Sequence, residues 1–124
     1  MPKFFDVRGE WDAHQSNGFV VHFFSMTQVL RGSDPAVTNL SGKASHSSGS
    51  VQGNVAGAVS GNQFHALVFW DNETAGDYSG TFSLAAAAPG LGSGAAITGL
   101  TYDQAHVESQ ATWYTTDTFL LEDF

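Results

Sequence analysis

Short runs in which apolar and polar residues alternate, rather than stretches with helical spacing, organise this chain. Val, Thr, Phe, Tyr and Trp gather in these runs, and Gly, Asn, Ser and Asp interrupt them at intervals of about 8–12 residues. The one apolar stretch without β-branched residues, Leu84 to Ala88, is cut off by Pro89-Gly90. The pattern predicts eight strands: Gly9–His14, Phe19–Met26, Leu40–His46, Val51–Val59, Phe64–Trp70, Asp77–Leu84, Ala95–Tyr102 and Gln110–Phe119. Turn-like sequences join them, namely Ser16-Asn17-Gly18, Gly32-Ser33-Asp34-Pro35, Ser47-Ser48-Gly49, Ser60-Gly61-Asn62, Asp71-Asn72-Glu73 and Gly90-Leu91-Gly92. Such connections are too short for parallel crossovers, so sequential strands must pair antiparallel. Closing the series on itself removes the exposed edges that invite aggregation. The expected fold is therefore all-β: one domain over residues 1–124, built as an eight-stranded antiparallel up-and-down β-barrel.

Two segments refine this picture. Between Gly49 and Gly61, Gly at 49, 53, 57 and 61 alternates with Val at 51, 55 and 59, all on one face of a strand. Interior Gly weakens a strand, so its repetition implies either tight curvature of the barrel wall, which we favour, or space cleared for a ligand or a neighbouring subunit. Phe19 to Met26 is apolar on both faces, with Val20, Phe24 and Met26 expected outside, and Phe64 to Trp70 repeats the pattern. A lone barrel faces water on its outer wall, so a homo-oligomer is expected.

Composition narrows the partners. The 124 residues carry 12 Asp+Glu against 4 Lys+Arg, a formal net charge of −8, and no Lys or Arg follows Lys43. Four scattered cations make no basic patch, which argues against nucleic acid and anionic membrane surfaces as partners. No window approaches the length of a membrane-spanning helix, and Met1-Pro2-Lys3-Phe4-Phe5-Asp6 breaks its apolar run too early for a signal peptide. The absence of Cys removes disulfides, thiolate metal sites and Cys nucleophiles together.

Catalytic and metal chemistry find little purchase. His14, His22, His46, His65 and His106 form no paired metal-ligand spacing, and each falls on its own strand or loop. Asp71, Glu73, Asp77, Asp103, Glu108 and Asp117 sit in or beside turns, where carboxylates are ordinarily solvated. Neither a G-x-S-x-G motif nor a phosphate loop is present. No enzyme, metal site or cofactor is expected. Trp11, Trp70, Tyr78, Tyr102 and Trp113 are the more telling set, lying singly near the ends of different strands. Such rings either plug a barrel as core or form the walls of a ligand site. Trp113 and Asp117 share parity, so on one strand they would face the same side.

Gly9-Glu10-Trp11, opening the first strand, resembles the G-x-W signature of the calycins. The run from Gly9 through Ser16-Asn17-Gly18 to Val21 is similar to the first hairpin of the avidin and streptavidin family. Gly57-Ala58-Val59-Ser60-Gly61 followed by Phe64, Val68, Trp70 and Asn72 resembles that family's run into V-x-W-x-N. Tyr78-Ser79-Gly80 resembles its W-x-G, and Asp117-Thr118-Phe119 its closing D-x-F. The resemblance implies a pocket at the open barrel end. Trp70 and Tyr78 would be its walls, Asn17 a turn-borne donor to a ureido oxygen, and Asp117 an acceptor for a ureido NH. Three of the family's ligand positions differ: Ala13 replaces an Asn, the third-strand Tyr is replaced near Ala44 beside Ser45 and His46, and the strand-seven Trp is missing, with Leu100 or Tyr102 nearest.

These readings converge on a non-catalytic small-ligand-binding barrel, with Asn17, Trp70, Tyr78, Trp113 and Asp117 as ligand-binding residues. The ligand would be biotin or another small molecule. The alternative is a carbohydrate-binding lectin with shallow loop sites drawn from Asp12, Asn17, Asp71, Asn72, Trp113 and Tyr114, in which oligomerisation multiplies weak sugar sites. An enzyme acting on an apolar substrate would need a buried carboxylate or His.

Overall fold

The computed structural model describes residues 3–33, 36–46, 51–71, 74–84, 94–104 and 106–123. Eight antiparallel strands close into an up-and-down barrel in sequence order: β2 (Gly9–Gln15), β3 (Val20–Ser33), β4 (Ala36–His46), β5 (Val51–Ser60), β6 (Gln63–Trp70), β7 (Ala75–Leu84), β8 (Ala95–Asp103) and β9 (His106–Tyr114). The predicted fold class is the observed one. Two further short strands, β1 (Lys3–Phe5) and β10 (Leu121–Asp123), pair with each other and form a separate two-stranded ribbon.

Inward and outward positions alternate as period-two patterning requires. On β6, Phe64, Ala66 and Val68 are buried inside while His65 and Phe69 are exposed. The Val/Gly face of β5 also points inward, with Val55 and Val59 in the core. A Cβ on Gly57 would collide with the His65 carbonyl oxygen and come within 2.7 Å of the Ala66 Cα. The neighbouring strand's backbone thus occupies the space a side chain would need, which is the tight-curvature reading of that face. Gly49 and the turn Ser47-Ser48-Gly49 lie outside the described residues, as do Asp34-Pro35, Asn72-Glu73, the Ala85–Ala88 part of the apolar stretch and Pro89 to Gly92.

Three expectations need correcting. The second strand runs on to Ser33 and the third begins at Ala36, so Gly32 and Ser33 belong to the ladder rather than to a turn. Within β3, Phe24 pairs with Lys43 but Thr27 with Ser41, so β3 carries one extra residue there, and Ser25 adopts φ 54. This bulge reverses the alternation: Val21 and Phe23 point inward and Val20 lies exposed, yet Met26 returns to the core instead of joining Val20 outside. Gly42 across the ladder makes room, since a Cβ there would sit 2.5 Å from the Met26 sulfur. Finally, the eighth barrel strand ends at Tyr114, well before Phe119. Phe119 instead forms an isolated bridge with Ala95.

The interior is layered along the barrel axis. At one end, residues 3–8 fold across the opening. Phe5 stacks on Phe82 at 4.4 Å, Phe82 meets Phe119 edge-on at 5.9 Å, and Val7 is fully buried. Gln28 ties this plug down. Its Oε1 accepts from the Val7 amide at 2.7 Å, and its Nε2 donates to the Phe5 carbonyl at 3.0 Å and to Thr38 Oγ1 at 2.9 Å. Above the plug, Trp11 stacks on Phe23 at 4.5 Å and meets Phe64 and Phe119 edge-on, while its Nε1 donates to the Val7 carbonyl at 3.0 Å. Trp113 and Tyr78 form the next layer, their ring centroids 5.7 Å apart.

Candidate functional site

Among the described residues, the end opposite the plug is open. The ends of β2, β4, β6 and β8 stand around it, and a cavity of about 280 Å³ descends from it into the barrel. Its lining includes Gln15, Asn17, Phe19, Val21, His46, Trp70, Thr74, Ala75, Gly76, Tyr78, Thr101, Tyr102, Asp103 and Ala111. An eight-stranded barrel is just wide enough either to fill with side chains or to hold one small ligand. Here the same barrel does the first at one end and leaves space for the second at the other.

Tyr78 is the centre of the floor. It stands edge-on to Phe23 and Trp113, and its hydroxyl donates to Gln15 Oε1 at 2.6 Å. Burial pushes the phenol up to about 12, with a hydrogen bond from Thr101 acting weakly in the other direction. The hydroxyl is therefore a fixed neutral donor. Gln15 Nε2 in turn donates to Asn17 Oδ1 at 3.3 Å, and the Phe19 amide donates to the same oxygen at 3.2 Å, which holds the β2–β3 turn in shape. At the rim, the His46 ring stands edge-on to Trp70 at 4.8 Å and 80° and to Phe19 at 5.7 Å and 69°.

Of the five residues expected to bind ligand, the structure gathers Asn17, Trp70 and Tyr78 around this cavity. Trp113 and Asp117 do not line it. Trp113 is only 1% exposed and lies beneath the floor, with Nε1 donating to the Ser79 and Leu100 carbonyls at 3.2 and 3.0 Å. Asp117 lies beyond the end of β9, so the parity argument linking it to Trp113 fails. It is exposed, and its Oδ2 accepts from the Asp12 amide at 3.4 Å, where the short β2–β9 ladder has already ended. Its place is the seam of the barrel. Three further cavity residues, Gln15, Thr101 and Ala111, were legible in principle: each continues the inward alternation of its strand by one step toward the open end. His46 and Asp103 extend the same rule.

Other candidate groups are dispersed over the outer wall. His22 Nδ1 lies 2.7 Å from Asp12 Oδ1, and His65 Nε2 lies 3.0 Å from Asp77 Oδ2. The nearby Asp77 carboxylate raises the Tyr102 hydroxyl above the usual phenol range. His14 stacks on Tyr114 at 5.2 Å. Among the described residues, no three His, Asp or Glu side chains converge as a metal site would require. The residues proposed for shallow sugar sites are also separated. Asp12 is at the seam, Trp113 in the core and Tyr114 on the outer wall, Asp71 lies by Gln52 in an open groove, and Asn72 falls outside the described residues.

Fold and cavity together define a closed β-barrel, plugged at one end and hollow at the other. No protein-family model, curated protein or solved structure matches this chain.

Proposed function

We propose that this chain is a non-catalytic binding protein of the avidin-like kind within the calycins, and that it holds one small ligand in the open-end cavity. The observation that carries this reading is the contrast within one interior. Apolar rings fill the barrel up to Tyr78, and beyond it the cavity is lined by aromatic faces and a few oriented polar groups, the usual chemistry of a small-molecule site. Trp70, Tyr78 and Asn17 are the ligand-binding residues. Ala13 and Ala44, both fully buried, offer no polar group where the resembled family has ligand-binding side chains, which favours a small molecule other than biotin.

Self-association through the outer wall is part of the same proposal. Phe69 and Leu100 are each 49% exposed on a face that also carries Ala56, Ala58 and Leu67, while the one carboxylate among them, Asp77, is buried. The sugar-binding reading has less support, because its principal stacking ring, Trp113, is in the core.

Native mass spectrometry against a small-molecule library containing biotin, fatty acids and simple sugars tests both parts at once. One ligand per chain and a discrete oligomer are expected. Trp70→Ala should weaken binding at least about tenfold, which is the loss of one stacking wall. Unchanged affinity in that variant would refute the site.

A further inference from the structure

Among the described residues, no Lys or Arg lines the cavity. The whole chain contains four Lys and Arg residues, Lys3, Arg8, Arg31 and Lys43, and none of them lines it. Lys43 is on the outer wall with Nζ donating to Asn54 Oδ1 at 2.8 Å, and Arg8 pairs with Asp6 at 2.9 Å on the segment that plugs the far end. Among the described residues, the one Asp or Glu on the cavity wall is Asp103. Two of the donors near the floor are directed to protein partners: Tyr78 Oη donates to Gln15, and one Gln15 Nε2 proton to Asn17. A carboxylate entering here would lose its hydration with no Lys or Arg to replace it, a costly exchange.

The opposite charge is well provided for. The rings of Phe19 and Trp70 flank His46 at the rim, each edge-on to it, and aromatic faces attract cations, Trp most strongly. Asp103 adds a formal negative charge on the wall, and the net charge of −8 concentrates cations around the whole molecule. The volume of about 280 Å³ lies at the small end of ligand cavities, which limits the occupant to one or two rings.

We propose that the open-end cavity selects a small organic cation, a one- or two-ring molecule carrying an ammonium or amidinium group, over a carboxylate of the same size. This rests on the reading of the cavity as a ligand site, and it goes further by setting the ligand's charge. Biotin and fatty acids, whose acid groups would enter or crowd the rim, are disfavoured by the same argument.

The test uses three matched probes, benzyltrimethylammonium, benzyl alcohol and phenylacetate, titrated at about pH 8, where free imidazole is neutral. Amide chemical shifts of Ala75, Gly76 and Thr101 report occupancy. The cation is expected to bind at least about tenfold tighter than phenylacetate, with benzyl alcohol between them. Asp103→Asn, or raising salt from about 50 to about 500 mM, should narrow that ratio roughly threefold. Equal or tighter binding of phenylacetate overturns the charge preference while leaving the ligand site intact. Silence from all three probes also overturns it, and the library screen described above then decides whether the cavity binds anything.

Discussion

The two ends of this barrel are made from the same eight strands with the same inward alternation, yet they are finished in opposite ways. At the plugged end the inward positions are Val7, Phe82, Ala95 and Phe119; residues 5–7 seal the opening, and β10 pairs with β1 beside them. Gln28 spends its whole amide on backbone and hydroxyl partners there. At the open end the inward positions become Gln15, Thr101 and Tyr78, and among the described residues no part of β1 or β10 lines the cavity. A cavity forgoes contacts that packed rings would supply, so stability is concentrated below Tyr78. The recognition we propose would take place above it.

The sharpest way to break this division is to attack the plugged half. Trp11 bridges the Phe23, Phe64 and Phe119 rings and reaches the Val7 carbonyl, so Trp11→Ala should cost about 3–5 kcal/mol in urea unfolding. A loss below about 1 kcal/mol would mean that the centre of the barrel is not packed as described. Gln28→Leu comes next. It orphans the Val7 amide, the Phe5 carbonyl and the Thr38 hydroxyl together, for an expected loss of about 2–4 kcal/mol. Its signature is local: hydrogen exchange at the Val7 amide should accelerate far more than at Ala75 on the open-end wall.

The open half can be probed by pH. The Tyr78 phenol lies at about 12 in the folded barrel against its usual 10.0, so the folded state holds this proton more tightly than the unfolded chain. Its contribution is fully present below about pH 10 and declines as pH rises toward 12, by at most about 2–3 kcal/mol. Tyr78→Phe should remove this alkaline loss while leaving unfolding at pH 7 within about 1 kcal/mol of the parent. An identical alkaline decline in the variant would place the responsible group elsewhere.

How far the sequence alone reached follows the same division. The barrel, its strand order and most strand cores could be read from alternation and turn residues, because a slip of one residue would expose an entire apolar face. What escaped were the places where alternation itself is interrupted. The bulge at Ser25 sent Met26 inward, and nothing in Phe24-Ser25-Met26 announces an extra residue without knowledge of Gly42 across the ladder. The β1–β10 ribbon joins the two ends of the chain, a pairing that local patterns do not encode. Around the cavity, Trp70 and Tyr78 stood out in the sequence because a large ring near a strand end is conspicuous, and both line it. Thr101 and Gln15 were passed over because small polar residues look alike in the cavity and on the wall. Trp113 was conspicuous too, but depth along the barrel axis decides between wall and core, and a one-dimensional pattern carries no depth.

Asp117 is where resemblance and geometry part most clearly, and it gives the smallest predicted effect. Carried over by motif, its carboxylate would accept a hydrogen bond from ligand. In the folded chain it accepts from the Asp12 amide at 3.4 Å, outside the barrel, next to the point where the β2–β9 ladder stops. Long and exposed, that bond contributes little. Asp117→Ala should cost less than about 1 kcal/mol of stability and leave affinity for any cavity ligand within about twofold of the parent. Exchange at the Asp12 amide should rise, since its acceptor is gone. If Asp117→Ala instead weakened ligand as strongly as Trp70→Ala, the residues after Tyr114 would have to continue the strand into the barrel. The division into a sealed half and a hollow half would then need redrawing along the eighth strand.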